Sequence, residues 1–340
     1  LLGGGSYGGN ITNSASFLFA SNSSQTLTGI ISGTGSLTKN GTGTLSLSGN
    51  NTYTGITTLR NGTITLDHDN GLGSGGNITF TGGALQYGTG ISTDISSRIK
   101  NSTTAILIDT NGNNVSFAGE LDSSNTLGLT KNGTGTLSLS GNNTYTGTTT
   151  INTGVFEITS TGLLGGGAYA GNLINKGTFL FGSDSDQILS GIMSSTGSLT
   201  KNGTGTLTLS GNNTYNGTTS INAGTLEITS TGRLGAGTYA ANITNNGSLI
   251  IGSNSAQTLS GIISSTGFLT KNGTGTLILS GNSTYSGDTA INAGTLQVST
   301  TGRLGGGSYS GNIANSGGFI FGSNSNQTLS GILSGSGFLT

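Results

Sequence analysis

The stretch LTKNGTGTL at Leu199–Leu207 recurs at Leu37–Leu45, Leu129–Leu137 and Leu269–Leu277. The last three copies begin 70 residues apart, at 129, 199 and 269, whereas the first begins 92 residues before the second. A fixed long period is typical of a chain that stacks copies of one structural unit. The repeated stretch therefore predicts a tandem-repeat architecture.

A shorter spacing lies inside the long period, marked by glycine, a small residue and then an aliphatic residue. The anchors of one 70-residue interval are Leu207, Leu226, Leu249 and Leu277, and those of the 92-residue interval are Leu45, Ile64, Leu85, Leu107 and Leu137. The shorter interval thus contains three steps and the longer one four. We predict about fourteen turns in the chain, three in each 70-residue repeat, with one whole turn added in the long interval.

The segments around these anchors alternate between aliphatic and polar residues, as in Thr206–Ser210 and Gly224–Thr229. This alternation predicts short strands that are buried on one face. Helix patterns are absent, and the 66 glycines would weaken any helix interior. A unit of about 20 residues closes a core only by stacking on its neighbours. The sequence therefore predicts an all-β fold, a right-handed parallel β-helix or β-solenoid.

The repeat boundaries divide the chain in a regular way. We expect one continuous solenoid over residues 1–340, forming part of a longer chain. Its expected divisions are a partial repeat at 1–38, a four-turn repeat at 39–130, and three-turn repeats at 131–200, 201–270 and 271–340.

The composition excludes several classes of function. Only 6% of the residues are charged and the net charge is −1, which leaves no basic surface for nucleic acid or for an anionic membrane. Cysteine is absent, so disulfides and thiolate metal sites are excluded. No apolar run is long enough for direct insertion of this segment into a membrane. We expect no cofactor.

The run Leu199–Leu226 resembles the passenger-associated transport repeat of bacterial autotransporters, and similar runs surround Lys39, Lys131 and Lys271. The resemblance implies a right-handed β-helical passenger of Gram-negative bacteria, exported through an outer-membrane barrel and displayed on the cell surface. It also implies a role in adhesion and repeats that assist passage outward. We expect a non-enzymatic extracellular passenger of a type V secreted protein, either an adhesin or the stalk of one, that folds turn by turn during export.

Two partner classes follow from this expectation. An adhesin would bind a host or matrix glycan or protein. The alternative is a structural repeat of an extracellular filament or matrix fibre, in which copies of the chain associate end to end or side by side. Sequence after Thr340 would separate the two, because a passenger continues into a β-barrel.

Catalytic residues are not evident. His68 is the only histidine, and it lies in Asp67–Gly71, where related repeats have an ordinary turn. Asp67 and Asp69 are weak candidates for a calcium loop, but further ligands of such a loop are missing from the pattern. A solvated turn is the favoured interpretation.

Ligand-binding candidates concentrate where the regularity breaks. The additional turn contains Tyr87, Asp94, Arg98 and Lys100, which are either a binding site or part of a bulged surface loop. The lysines of the repeated motif stand beside turns, and we expect them to be solvated.

Overall fold

The computed structural model describes residues 1–340 and divides into two compact units. Unit 1 comprises Leu1–Ile158 with Gly162–Gly166, and unit 2 comprises Thr159–Thr161 with Gly167–Thr340. The chain has no α-helix, and its helical segments are short 3-10 turns at Leu2–Gly5, Ser96–Arg98, Gly165–Gly167, Gly235–Gly237 and Gly305–Gly307. No helix is long and apolar enough to cross a membrane.

The strands are short and numerous. Those up to residue 164 are β1 (Ser6–Tyr7), β2 (Ile11–Thr12), β3 (Ser16–Phe19), β4 (Gln25–Leu27), β5 (Ile31–Ser32), β6 (Ser36–Lys39), β7 (Thr44–Leu47), β8 (Thr57–Leu59), β9 (Thr63–Leu66), β10 (Ile78–Phe80), β11 (Ala84–Tyr87), β12 (Ile106–Asp109), β13 (Val115–Phe117), β14 (Leu129–Asn132), β15 (Thr136–Leu139), β16 (Asn142–Asn143), β17 (Thr149–Ile151), β18 (Val155–Ser160) and β19 (Leu163–Leu164).

The strands of unit 2 that follow are β20 (Ala168–Tyr169), β21 (Leu173–Asn175), β22 (Thr178–Ser183), β23 (Gln187–Leu189), β24 (Met193–Ser194), β25 (Ser198–Lys201), β26 (Thr206–Leu209), β27 (Thr219–Ile221), β28 (Thr225–Ser230), β29 (Thr238–Tyr239), β30 (Ile243–Asn245), β31 (Ser248–Ser253), β32 (Gln257–Leu259), β33 (Ile263–Ser264), β34 (Phe268–Lys271), β35 (Thr276–Leu279), β36 (Thr289–Ile291), β37 (Thr295–Thr300), β38 (Ser308–Tyr309), β39 (Ile313–Asn315), β40 (Gly318–Ser323), β41 (Thr328–Leu329), β42 (Leu333–Ser334) and β43 (Phe338–Leu339).

Each strand pairs in parallel with the strand one turn later. In unit 1 the sheets include β1-β4-β7-β9-β11-β12-β14-β17 and β3-β6-β8-β10. In unit 2 they include β20-β23-β26-β28-β31-β34-β36-β39-β42, β29-β32-β35-β37-β40-β43 and β25-β27-β30-β33. Consecutive strands such as β30, β31 and β32 belong to three different sheets, and β33 then pairs with β30. One turn therefore contributes a strand to each of three sheets, which confirms the predicted all-β parallel solenoid.

The turns number about 17, against the fourteen expected from the anchors. In unit 2, Lys201 pairs with Ile221, Ile221 with Asn245, and β30 with β33, which accounts for three turns. The equivalent Lys271 lies on the following strand, in a different sheet. A repeat of this unit is therefore three turns plus one strand, and successive repeats are rotated by one face.

The prediction of three turns per repeat was wrong because two consecutive anchors belong to different sheets. Leu249 pairs with Leu269, whereas Leu277 pairs with Gln257. The interval between Leu249 and Leu277 therefore covers a full turn and one additional face. Spacing along the chain cannot reveal a change of sheet when both positions carry the same buried leucine.

The interior of each unit consists of the inward residues of the strands. Leu45 pairs with Ile64 and Ile64 with Leu85, and all three are fully buried. The column continues through Ile108, to which Leu85 is paired. Leu107 was assigned to the core from its spacing, but it is only half-buried and faces outward. Strand alternation decides which residue is inside, and the anchor was misplaced by one residue.

Candidate functional site

The four lysines of the repeated motif point into the interior. Lys39, Lys131, Lys201 and Lys271 are at most 1% exposed. Each follows a buried leucine and an outward threonine on its strand, so the alternation of the strand continues through the lysine. The expectation of solvated lysines was therefore wrong. The pattern Leu-Thr-Lys itself carried the signal that could have placed them inside.

The amine of Lys131 connects two turns through main-chain carbonyls. Its Nζ donates to the carbonyl oxygens of Asn132 at 2.9 Å, Gly133 at 2.7 Å and Thr153 at 3.3 Å. Thr153 lies in the next turn, which pairs with the strand of Lys131. An ammonium group has three donors, and here all three are used. The side chain therefore ties its own turn to the one that follows.

The other copies repeat this arrangement with small differences. The amine of Lys39 donates to the carbonyl oxygen of Gly41 and, at 3.2 Å, to that of Asn61 in the next turn. Lys201 and Lys271 donate to the carbonyl oxygens of Gly203 and Gly273. The glycine two residues after the lysine supplies this acceptor in all four copies.

A glycine of the next turn makes room for the lysine corner. Gly224 has φ of 66°, and a Cβ atom built on it would lie 2.5 Å from the carbonyl oxygen of Gly203. On Gly62 such an atom would lie 2.6 Å from Nζ of Lys39. Both the left-handed backbone and the close approach require glycine here. The lysine and this glycine are therefore two parts of one stacked corner.

An aromatic ring of the preceding turn covers the amine in one copy of each unit. Nζ of Lys39 lies 5.5 Å from the ring centroid of Phe19, and Nζ of Lys201 lies 5.5 Å from that of Phe181. These rings are on the residues paired with the lysines one turn earlier. A cation above a ring face is attracted by the ring quadrupole. In unit 1 Lys39 thus contacts the turns before and after its own.

Burial shifts the ionisation of these amines. Desolvation lowers the pKa of Lys131 and of Lys201 to about 8, while Asp109 opposes the shift at Lys131. The pKa values of the other two motif lysines are also lowered by desolvation. The charge state of the motif lysines therefore depends on their burial in the stack.

A tyrosine–threonine pair forms the second buried polar contact of the motif. The hydroxyl groups lie within hydrogen-bond distance in Tyr53–Thr57 at 2.8 Å, Tyr145–Thr149 at 2.7 Å, Tyr215–Thr219 at 2.8 Å and Tyr285–Thr289 at 2.8 Å. Burial raises the pKa of Tyr53 to about 12. Tyr53 therefore stays neutral, and each of the four phenols has a threonine partner inside the solenoid.

An asparagine joins neighbouring turns in three of the four copies. Oδ1 of Asn51 accepts from the N–H of Ile31 at 2.7 Å, and its Nδ2 donates to the carbonyl of Gly71 at 2.7 Å. The fourth copy has Ser283, whose Oγ accepts from the N–H of Ile263 at 3.3 Å. The side chains of Asn51 and Asn143 reach both neighbouring turns, whereas those of Asn213 and Ser283 reach only the turn before their own.

Two of the predicted ligand-binding residues, the buried Tyr87 and the exposed Asp94, form hydrogen bonds within the additional turn and to the next one. The Tyr87 hydroxyl donates to the carbonyl of Thr93 at 3.0 Å. Oδ1 of Asp94 accepts from the N–H of Ser96, and its Oδ2 accepts from the N–H of Ala118, both at 2.8 Å. These polar atoms stabilise the local loop, and their role toward a ligand stays a prediction.

Arg98 and Lys100 lie on the same loop but make different contacts. The Arg98 guanidinium donates to the carbonyls of Leu72, Gly73 and Gly76 in the preceding turn, at 2.8 to 3.0 Å. Lys100 forms an ion pair with Asp122 at 2.6 Å, with both side chains about a quarter exposed. The structure therefore places all four predicted residues in one region, with each engaged by protein groups.

The predicted metal candidates lie on an exposed turn. Asp67 and Asp69 flank His68, whose Nδ1 accepts from the N–H of Asn70 at 3.0 Å. No group of three or more histidine, cysteine, aspartate or glutamate side chains is arranged to hold a metal ion. A third protein ligand is thus missing at Asp67 and Asp69.

Comparison with known proteins agrees with the repeated geometry. The model of the passenger-associated-transport-repeat family matches residues 37–66, 129–158, 199–228 and 269–298. Each match begins two residues before the motif lysine and ends in a strand of the next turn. A matched repeat therefore contains the lysine corner, the tyrosine–threonine pair and the stacked glycine.

The chain is also similar to a larger protein, the adhesin BmaC autotransporter of Brucella suis biovar 1 (strain 1330). The two are 33% identical over 89% of this chain, which spans only 14% of the length of that relative. No solved structure matches the chain. The four matched repeats and this similarity along most of the chain support an autotransporter passenger that carries passenger-associated transport repeats.

Proposed function

We propose that the chain is a non-enzymatic segment of a passenger displayed on the bacterial cell surface, where it serves as an adhesin or as the stalk of one. Its repeats fold turn by turn as they emerge, and this folding assists export. The partner is a host or matrix protein or glycan. The similarity to an adhesin autotransporter supports the adhesive part of the proposal.

The lysine corner supports the export part. The amine of Lys131 gains its third hydrogen-bond acceptor only when Thr153 of the next turn has docked. The amine of Lys39 likewise gains the carbonyl of Asn61 only when the next turn is in place. A buried charged group that lacks its partners is costly, so a half-docked turn is unfavourable. Each turn therefore docks in an all-or-none manner on the turn already formed.

Burial of apolar side chains also favours the docking of each new turn. The inward leucines and isoleucines are almost completely buried, and each buried Å² of apolar surface contributes about 25 cal/mol. Solenoid repeats interact mainly with their nearest neighbours, so folding propagates one turn at a time. A chain that folds outside the membrane in this way would resist sliding back.

A non-enzymatic role is consistent with the distribution of reactive groups. The single histidine accepts a hydrogen bond within its own turn. The four candidate binding residues of the additional turn are occupied by protein partners. The pKa values of Lys131 and Tyr53 are perturbed, as is often seen in active sites, but both groups make structural contacts inside the solenoid.

The export proposal is tested by display of the parent protein on whole cells. Replacing both Lys131 and Lys201 by alanine should delay the appearance of the passenger at the surface, measured by accessibility to added protease over time. Lys176→Ala, at an exposed lysine, is the matched control and should display normally. Normal display of the double variant, despite local unfolding seen by hydrogen exchange, would refute assistance by folding.

The adhesive proposal needs a separate measurement. The purified chain is screened against matrix proteins and glycans, and saturable binding supports a direct adhesive role. Uniform absence of binding would leave the stalk as the proposed role.

A further inference from the structure

A shallow groove lies on the outer face of the sheet that contains β31, β34, β36 and β39 in unit 2. Its volume is about 390 Å³. Phe268 forms one wall, with 55% of its surface exposed. Ala290 and Ala314, which are paired one turn apart, form the floor beside Thr270. Two small side chains in register thus leave an open space next to a protruding ring.

The groove residue next to Phe268 is acidic. Register places Asp288 one residue before Thr289, which pairs with Leu269, so Asp288 follows Phe268 in the outward row. Oδ1 of Asp288 accepts from the N–H of Asn312 at 2.8 Å, and Oδ2 accepts no hydrogen bond. No lysine, arginine or histidine lines the groove. An aromatic face and a carboxylate therefore share one open space with no internal cation.

The preceding repeat provides an internal comparison. The positions 70 residues before Phe268, Asp288, Ala290 and Ala314 are occupied by Ser198, Thr218, Ser220 and Thr244. They occupy the same register, since Leu199 pairs with Thr219 and Ser220 with Thr244. The ring, the charge and the two small residues therefore distinguish one face of the last repeat from an otherwise equivalent face.

We infer that this groove binds a lysine or arginine side chain presented by a protein partner. The cationic head group would lie over the Phe268 ring and pair with the free Oδ2 of Asp288, while its aliphatic stem would cover Ala290 and Ala314. Cation–ring attraction and a charge-assisted hydrogen bond both favour a cation at this position. The inference rests on the adhesive role proposed above and names the chemistry of its partner.

The alanine floor supplies a direct probe. The full 340-residue chain is labelled at its alanine methyl groups and titrated with the peptide acetyl-Gly-Lys-Gly-amide at low salt. The methyl signals of Ala290 and Ala314 should shift in a saturable way. A peptide with norleucine in place of lysine keeps the stem but lacks the charge, and it should bind at least fivefold more weakly. Added sodium chloride should weaken the lysine peptide.

Three variants separate the contributions. Phe268→Ser and Asp288→Thr introduce the residues of the preceding repeat, so both are compatible with the fold, and each should weaken binding at least fivefold. Asp288→Asn retains an acceptor for the N–H of Asn312 and removes only the charge. It should weaken the lysine peptide to the same extent as Asp288→Thr.

A graft gives the converse test. The fourfold variant Ser198→Phe, Thr218→Asp, Ser220→Ala and Thr244→Ala should create a second binding site, reported by the two new alanine methyl groups. Unchanged signals of Ala290 and Ala314 with the lysine peptide, or equal binding by Asp288→Asn, would overturn the inference. So would a response to methyl β-glucoside without one to the peptide, which would indicate a glycan. None of these outcomes changes the display test, so the passenger role is judged independently.

Discussion

The repeated motif at residues 129–158 and the additional turn after Tyr87 both hold basic side chains against neighbouring turns, but through different contacts. In the motif, Lys131 is fully buried and donates only to main-chain carbonyls. In the additional turn, Arg98 donates hydrogen bonds to carbonyls of the turn before it, and Lys100 forms an ion pair with the side chain of Asp122 at the surface.

The difference shows which contacts can be repeated. A main-chain carbonyl is present at every residue, so the acceptors of Lys131 are independent of the side chains of the neighbouring turn. The ion pair of Lys100 requires an aspartate at one position of the next turn. The lysine corner, built on main-chain acceptors, occurs in all four copies of the motif, whereas the ion pair of Lys100 with Asp122 belongs to the additional turn.

The largest effect is expected from Lys131→Ala. The substitution leaves a cavity and removes the donors to Asn132, Gly133 and Thr153, at a cost of about 2–5 kcal/mol. Hydrogen exchange of peptides covering β14 and β17 measures the local free energy of opening. Lys131→Met retains much of the stem and should cost about 1–3 kcal/mol. If the two variants opened equally, the carbonyl contacts rather than the volume would carry the effect.

Arg98→Ala should have a smaller effect, because the side chain is only half-buried. Losing three hydrogen bonds from a charged donor should cost about 1.5–3 kcal/mol, concentrated in the turn of Leu72 and Gly76. Arg98→Lys is the control, since one ammonium group cannot reproduce the planar fork. If the lysine variant were as protected from exchange as the wild type, a positive charge alone would be enough to hold this turn. Arg98 would then act in the same way as the buried lysines of the motif.

The pH dependence of stability should separate the two regions further. The folded pKa of Lys131 and of Lys201 is about 8, below the ordinary value of 10.5. Between these values the unfolded chain binds more protons than the folded chain, so stability rises with pH. We expect a gain of about 1–2 kcal/mol per lysine between pH 7.5 and 9.5. Urea unfolding at several pH values measures it.

The buried tyrosines limit this gain at higher pH. Burial raises the pKa of Tyr53 to about 12, from an ordinary value of 10.0, so the unfolded chain loses the proton first and stability falls above about pH 10. Stability should therefore be greatest near pH 9.5. Replacing Lys131 and Lys201 by methionine should flatten the rise. A rise of the same size in that double variant would assign it to other groups.

Much of the fold could be predicted from the sequence, because alternation and period are local properties of the chain. The strands around Leu207 and Leu226, which pair in the structure, were visible in this way. The rotation of each repeat by one face was not. It depends on whether Leu277 pairs with Leu249 or with Gln257, and the sequence offers a suitable leucine for either choice.

The candidate site was harder to predict. Lysine side chains are normally exposed, so Lys201 was expected at the surface. The alternation of its strand nevertheless places it inside. The acceptors of its amine are carbonyls, which leave no mark in a sequence. The groove beside Phe268 was also missed, because it arises from Ala290 and Ala314 meeting one turn apart in three dimensions.

The smallest effect is expected from the ion pair of the additional turn. Lys100 and Asp122 lie 2.6 Å apart, with side chains 27% and 28% exposed, so solvent screens their attraction. Lys100→Ala should cost about 0.2–1 kcal/mol, and a double-mutant cycle with Asp122→Ala should give a coupling of the same size that diminishes in 0.5 M salt. Asp122 also accepts from Ser124, so the cycle and not the single variant isolates the pair. A coupling as large as the effect of Lys131→Ala would mean that this exposed ion pair holds its turn as firmly as the main-chain acceptors of Lys131 hold theirs, and the contrast between the two regions would fail.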